Sequence, residues 1–152
     1  MVEGPSDELV VQRAYKDMFD AMPLDQGVDV ITVRSLAFKR FLEIATILKL
    51  DVAVVTDNDG DIDALESKYE DYADFDNIKI CYDRDTNYKT LEPQLLKSNS
   101  LETINCVLEK EYTDKDTLLK YMENNKTDCA LKIFESDQAI EIPEYIVDAI
   151  RK

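Results

Sequence analysis

The chain has 152 residues, a length that suits one domain with a sizeable core. Its 33 acidic and 18 basic residues give a net charge of −15. This balance by itself argues against nucleic-acid binding, because phosphate contacts come from Lys and Arg. Bound metal ions, or a partner with a basic surface, would change the sign of the local charge. No apolar run approaches the length of about 20 residues that a membrane span needs, and the N-terminus lacks the pattern of a signal peptide.

The cysteine and histidine content narrows the chemistry further. The three cysteines, Cys81, Cys106 and Cys129, are widely spaced and odd in number, and the chain has no histidine. This argues against a zinc site and more strongly against a disulfide framework, so a reducing cytoplasm fits best. Without histidine, Ser/His and Cys/His nucleophile systems are excluded. Chemistry must then come from carboxylates, Lys, Tyr or a bound metal.

The first part of the chain alternates strand and helix patterns. Only Met1 and Val2 precede Glu3, so the first strand looks cut at its front, and Pro5 suits the first position of a helix. The predicted order is a strand ending at residues 2–3, a helix from Pro5, a strand at 28–33, a helix at 35–50 capped by Ser35, a strand at 52–56, a helix at 64–72 and a strand at 78–82. This alternation predicts an α/β fold with a parallel four-stranded sheet flanked by helices.

The second part of the chain is predicted to be helical. A polar loop at residues 83–88 is followed by a short extended or turn segment at residues 90–93. Helical patterns then cover residues 101–110, 113–124 and 128–136, and a last helix begins at Pro143. With no repeat and no low-complexity linker, we expect one domain with a C-terminal helical extension.

Four carboxylates are predicted to meet at one edge of the sheet. Glu3 ends the first strand, and Asp57 and Asp59 follow the third, where sites form in open α/β sheets. Asp7 lies about one helical turn after Glu3 and can face the same place. Carboxylate oxygens are the ligands that Mg²⁺ and Mn²⁺ prefer. Asp61 and Asp63 are predicted to be solvated or outer-shell residues.

The acidic stretch has three other interpretations. The simplest is a polar turn after a strand. A calcium-binding EF-hand loop starting at Asp57 would place Ile62 where Gly is needed and Lys68 where Glu is needed, so it fits poorly. A phosphoacceptor receiver domain needs two acids after the first strand and a Lys after a fifth strand, and this pattern does not match it.

An ordered set of motifs over the whole chain resembles a known family. A strand ending in Glu3-Gly4 and a later Asp57-x-Asp59 are similar to the TOPRIM domain, the metal-binding module of topoisomerases, primases and several nucleases. Within that group the details resemble the OLD family (overcoming lysogenization defect) of ATP-dependent nucleases. The resembling segments are Val2-Glu-Gly-Pro-Ser-Asp7, Val54-Val-Thr-Asp-Asn-Asp-Gly60, Thr90-Leu-Glu92, Lys126-Thr-Asp-Cys-Ala130 and Ile142-Pro-Glu-Tyr-Ile-Val-Asp-Ala-Ile150.

The resemblance implies a TOPRIM-like, Rossmann-like fold, with residues 1–96 as the metal-binding core and residues 97–152 as a helical part of the same nuclease domain. It implies hydrolysis of a DNA phosphodiester with two Mg²⁺ or Mn²⁺ ions, one activating water and one stabilising the leaving oxygen. Glu3 and Lys126 would be catalytic residues. The metal ligands would be Glu3, Asp7, Asp57, Asp59 and Glu92. Without the resemblance, Lys126 and Glu92 are expected to be ordinary surface charges.

Members of the OLD family have an ATP-binding domain before the TOPRIM part. The three glycines of this chain, Gly4, Gly27 and Gly60, cannot form a phosphate-binding GxxxxGK[ST] loop. The chain therefore looks like the C-terminal portion of such a nuclease, with DNA, an ATPase domain or subunit, and a second copy of itself as candidate partners. The alternatives are an assembly or nucleic-acid-binding module that is inactive without its ATPase, or another TOPRIM activity such as RNA processing.

Overall fold

Two short parallel strands form the sheet of this computed structural model, which describes residues 1–33 and 37–151. Strand β1 (Val52–Val55) and strand β2 (Ile78–Cys81) pair in register, with Val52 opposite Ile78 and Val55 opposite Cys81. Both strands consist mainly of Val and Ile, whose branched side chains pack well on a pleated surface. The two strands predicted at residues 52–56 and 78–82 are therefore confirmed.

The prediction of four strands is wrong, since the described residues form two. Val2 makes a single parallel bridge with Thr32, and Met1 lies beside β1, where its carbonyl accepts a hydrogen bond from Val55 N at 2.9 Å. The four chain segments are thus neighbours, with residues 1–2 lying between the segment at residues 31–33 and β1, but these two segments form only an isolated bridge and are not strands. Only Met1 and Val2 precede the turn at Glu3-Gly4, and residues 28–31 leave apolar side chains such as Ile31 in solvent.

Eight helices in the described residues surround this sheet. They are α1 (Pro5–Phe19), α2 (Phe38–Leu48), α3 (Ile62–Tyr69), α4 (Leu91–Ser98), α5 (Leu101–Leu108), α6 (Lys115–Asn124), α7 (Lys126–Glu135) and α8 (Glu144–Ile150). Short 3₁₀ turns lie at Pro23–Gln26 and Glu70–Tyr72. None of the helices in residues 1–33 and 37–151 is long and apolar enough to cross a membrane.

The helix predictions were correct in place but not in every boundary. The segment at residues 90–93, predicted to be extended or a turn, is instead the start of α4 with Thr90 before it. Pro93 falls in the first turn of that helix, where its missing N–H removes no helical hydrogen bond. Ser35, the predicted cap of the second helix, lies outside the described residues.

Consecutive residues of β1 face two separate cores, as the alternation of a strand requires. Val54 belongs to a smaller core formed mainly by α2 and α3. Val55 belongs to a larger core that includes side chains of α1 and of α4 to α8. Helix α1 packs on α7, and α8 packs on both strands. The C-terminal helices therefore build one face of the same core as the N-terminal helix.

Candidate metal centre

Five of the predicted site residues come from five segments of the chain and meet at the carboxyl edge of the sheet. Glu3 follows the Met1–Val2 segment, Asp57 follows β1, and Asp7 and Glu92 lie in the first turns of α1 and α4. Lys126 is the first residue of α7. All five line one cavity of about 290 Å³. The neighbouring wall residues are Gly4, Pro5, Ser6, Leu91 and Thr127.

Glu3 is held by a residue on the neighbouring segment. The hydroxyl of Thr56 donates a short hydrogen bond to Glu3 Oε1. Thr56 is buried, and its backbone N–H donates to Cys81 O at 3.1 Å, so β1 positions it firmly. One oxygen of Glu3 is therefore occupied by the protein, and Oε2 is the one left for a ligand.

Asp7 caps helix α1 and also presents its carboxylate to the cavity. Its Oδ2 accepts a hydrogen bond from the backbone N–H of Gly4 at 3.0 Å, which caps the start of α1. Burial raises the pKa of Asp7 to about 6, with the Gly4 hydrogen bond acting against this and the charges of Glu3 and Glu92 adding to it. Asp7 is thus held at the cavity wall by its own helix and is sensitive to the neighbouring acids.

Asp57 is the acid in the cavity whose pKa is shifted most strongly. Burial raises its pKa to about 8, and the charges of Asp7, Glu3 and Glu92 raise it further, while Lys126 has a smaller opposing effect. Among the described residues, no donor bonds its carboxylate. The protein therefore gathers negative charge around Asp57 without supplying enough positive charge to balance it.

Glu92 and Lys126 form the one ion pair of the cavity within the described part of the chain. Lys126 Nζ lies 2.8 Å from Glu92 Oε2, and the side chains of Lys126 and Glu92 are 47% and 4% exposed. Thr90 Oγ1 donates to the same oxygen at 3.1 Å. Burial works against the charge of Lys126, but the hydrogen bond and charge of Glu92 raise its pKa above the ordinary value. A buried acid is thus neutralised by a cation that still reaches solvent.

Asp59, predicted to be a metal ligand, is the one predicted site residue that the structure leaves outside the cavity lining. It is exposed and adopts a left-handed backbone conformation with φ of 50°. The two acids that follow behave as predicted. Asp61 is exposed and caps α3 by accepting a hydrogen bond from Ala64 N at 3.0 Å, and Asp63 is exposed.

Asn58, predicted only as part of a turn, is a buried structural residue. Its side chain is 2% exposed, and its Nδ2 donates to the carbonyls of Asp83, Asp85 and Tyr88 at 2.9, 3.2 and 3.3 Å. Its Oδ1 accepts from Gly60 N at 2.8 Å. Asn58 therefore ties the loop after β1 to the loop after β2. The only sequence signal for this role is an amide side chain between two acids in a turn. That signal does not identify the carbonyls to which Asn58 donates.

Gly60 explains how this loop closes. Its φ of 83° is a backbone conformation that residues with a side chain rarely adopt. A Cβ at this position would also approach Lys89 Cε to 2.8 Å. The absence of a side chain lets the Lys89 stem lie against the loop. The conformation of the loop after Asp57 therefore depends on the buried hydrogen bonds of Asn58 and on the positive φ of Gly60.

The donor chemistry of the cavity fits a hard divalent cation. Its acids are all carboxylates, and Glu3, Asp7 and Glu92 each bond to the protein through one oxygen and keep the other. Within residues 1–33 and 37–151, however, no three such side chains converge into a ready ligand group. Burial and the charges of Asp7, Glu3 and Glu92 raise the pKa of Asp57, so a cation placed between these acids would relieve their repulsion.

Comparisons with known proteins agree with the N-terminal half of this site. The model of one protein family, described as "Overcoming lysogenization defect protein-like, TOPRIM domain", matches residues 1–59. The matched segment includes Glu3, Asp7, Asp57 and Asp59 and ends before Glu92 and Lys126. No curated protein and no solved structure matches the chain. Residues 1–59 thus carry an OLD-like TOPRIM sequence, and the family resemblance predicted from the sequence is confirmed over that segment.

Proposed function

We propose that this chain is a metal-dependent DNA endonuclease or nickase domain, the C-terminal part of an OLD-family nuclease. TOPRIM domains are generally metal-dependent enzymes that process nucleic acids. The observation that carries the proposal is a group of four carboxylates, Glu3, Asp7, Asp57 and Glu92, that line one cavity at the edge of the sheet. Such a group is matched by a bound cation, which reverses the local electrostatics.

The residues proposed to hold Mg²⁺ or Mn²⁺ are Glu3, Asp7, Asp57 and Glu92, with Asp59 recruited from the loop. The metal ions would activate the attacking water and stabilise the leaving oxygen of the phosphodiester. Thr56 orients Glu3, and Gly4 orients Asp7, so that free carboxylate oxygens line the cavity. Lys126 neutralises Glu92, and its exposed ammonium has further N–H donors for a phosphate oxygen of the substrate.

The negative charge of the whole chain bears on the partner. With a net charge of −15, the chain offers little basic surface for DNA. We propose that an ATPase domain or a separate ATPase subunit supplies that surface, and that the protein is cytoplasmic. The second candidate function is therefore an assembly module that is inactive without its ATPase, and RNA processing is a further TOPRIM activity to be tested.

The decisive experiment incubates supercoiled plasmid with the chain and Mn²⁺ or Mg²⁺. We expect nicking that disappears in Asp57→Ala and persists in Asp63→Ala, which removes an equal charge from an exposed position outside the cavity. Equal nicking by wild type and Asp57→Ala would refute the assignment of this cavity. Nicking that appears only when the ATPase region is added would favour the assembly module, and preferential cleavage of RNA would favour RNA processing.

A further inference from the structure

Tyr69 carries a hydroxyl that the fold buries without a hydrogen-bond partner. It is the one such side-chain atom found in residues 1–33 and 37–151. The side chain is 4% exposed and lies at the end of α3. Buried polar groups in native proteins nearly always have a partner, because leaving one unpaired is costly. A hydroxyl kept in this position therefore requires an explanation.

The two cores of the sheet show which groups surround this hydroxyl. Tyr69 and Val54 belong to the smaller core, and Met1 packs against it. In extended backbone, residues two apart point to the same face. Thr56 follows Val54 by two residues, and Glu3 follows Met1 by two. The hydrogen bond from Thr56 to Glu3 therefore starts on the face of the sheet that Tyr69 covers.

The electrostatic surroundings agree with this placement. Burial raises the pKa of Tyr69 to about 12, and the charge of Glu3 contributes to the rise, while Thr56 acts in the opposite direction. The hydroxyl is thus protonated at every ordinary pH and is available as a donor. Thr56 has one proton, which it gives to Glu3, so toward Tyr69 it can only accept.

We propose that Tyr69 is a positioning residue of the metal site, whose hydroxyl donates to Thr56 Oγ1 and so holds the Thr56 proton on Glu3 Oε1. Linked hydrogen bonds polarise and strengthen one another. This relay of two hydrogen bonds, from Tyr69 to Thr56 and from Thr56 to Glu3, fixes the Glu3 carboxylate with Oε2 available to a cation. Because the Tyr69 hydroxyl has no partner in the structure, its bond to Thr56 requires rotation of the Tyr69 or Thr56 side chain. This inference rests on the proposed function of the cavity as a metal site.

The test measures Mn²⁺ affinity by calorimetric titration, with no nuclease assay. Tyr69→Phe removes only the hydroxyl, and we expect it to weaken Mn²⁺ binding about tenfold, as for other groups that orient a metal ligand. The melting temperature without metal should fall by no more than about 2–4 °C, because one neutral hydrogen bond contributes only modestly to net stability. Tyr72→Phe is the matched control. Its hydroxyl belongs to the same core but donates to Lys39 O at 3.1 Å, away from the cavity, so Mn²⁺ affinity should stay within about twofold of wild type.

Two further variants decide whether Tyr69 acts through Thr56. Thr56→Val should weaken Mn²⁺ binding, and Thr56→Ser, which keeps the hydroxyl, should restore most of it. The double variant Tyr69→Phe/Thr56→Val should bind no more weakly than Thr56→Val, since both changes break one relay. Wild-type affinity in Tyr69→Phe, or additive losses in the double variant, would overturn the inference while the metal site stands. A wild-type chain that binds no Mn²⁺ would refute the proposed function and the relay with it.

Discussion

Lys126 Nζ donates a hydrogen bond to Glu92 Oε2 at 2.8 Å, joining the start of α7 to the first turn of α4. The acid is buried, and the cation is half exposed. The pair therefore links the two predicted parts of the domain, residues 1–96 and residues 97–152. That division of the domain stays a prediction, but the cavity depends on both parts.

Removal of this cation should destabilise the protein. In Lys126→Met, Glu92 remains buried with one charged donor fewer, and we expect the free energy of unfolding to fall by about 1–3 kcal/mol. Chemical denaturation at neutral pH measures this. Glu92→Gln in the same chain should recover part of the loss, because it removes the uncompensated charge. Lys132→Met is the matched control, since its pair with Glu109 lies in solvent and should contribute little. Equal losses in both Lys variants would contradict the expected role of Glu92.

The pH dependence of stability should follow Asp57. Its pKa is raised from 3.8 to about 8 in the folded chain. The folded state therefore holds this proton more tightly, so the stabilisation is complete below about pH 4 and is lost as the pH rises toward about 8. Without metal, we expect the free energy of unfolding to fall across this range, by at most about 1.4 kcal/mol per pH unit for the one group.

A pH series of denaturation curves checks this dependence. Solvent that reaches the cavity screens the charges, so the measured slope should lie below that limit. Asp57→Asn should flatten the curve between about pH 5 and 8, whereas Asp63→Asn, an exposed acid of equal charge, should leave it as in wild type. A wild-type slope in Asp57→Asn would assign the pH dependence to the overall negative charge of the chain.

Divalent metal should stabilise the folded chain, because a ligand that binds only the native state shifts the unfolding equilibrium. At a free Mn²⁺ concentration of about 100 times Kd, the gain is about 2.7 kcal/mol. For a chain of this size, that raises the melting temperature by about 5–10 °C. The rise should be larger near pH 8 than near pH 6, because protons compete with metal for Asp57 and Asp7.

Thermal melts with and without Mn²⁺ measure this rise. Asp57→Ala should abolish it, and Asp63→Ala should keep it. The same comparison for Asp59→Ala determines whether that exposed acid joins the ligand set when metal binds. A shift that is identical in wild type and Asp57→Ala would place the metal elsewhere on this acidic chain.

Asn58 should prove more important than an ordinary turn residue. Asn58→Ala leaves three backbone carbonyls of the loop after β2 without their side-chain donor, and we expect a loss of about 2–3 kcal/mol in unfolding free energy. Mn²⁺ affinity should also fall, because Asp57 precedes Asn58 directly. Asn77→Ala is the control, since its side chain makes one bond, to Leu50 O at 2.7 Å, at the opposite end of β1. Equal effects of the two variants would argue against a link between the loops.

Local patterns explain why much of the fold could be predicted from the sequence. Helix α1 follows from Pro5, the acids of its first turn and its apolar periodicity, and β1 follows from four consecutive apolar residues. The same reasoning failed at residues 28–33, where an apolar run suggested a strand but Ile31 remains exposed and one bridge forms. Pairing with a neighbour decides whether such a run becomes a strand, and pairing is a tertiary property.

The site divides in the same way. Glu3, Asp7 and Asp57 could be placed at one edge because strand ends and helix starts have fixed positions in an α/β sheet. The sequence by itself determined this concentration of carboxylates. Only the tertiary structure decided that Glu92 is buried beneath Lys126, that Asn58 joins two loops and that Tyr69 lies on the face of the Thr56–Glu3 bond. These relationships join residues far apart in the chain, and the energy of a buried charge or hydroxyl depends on what folding brings beside it.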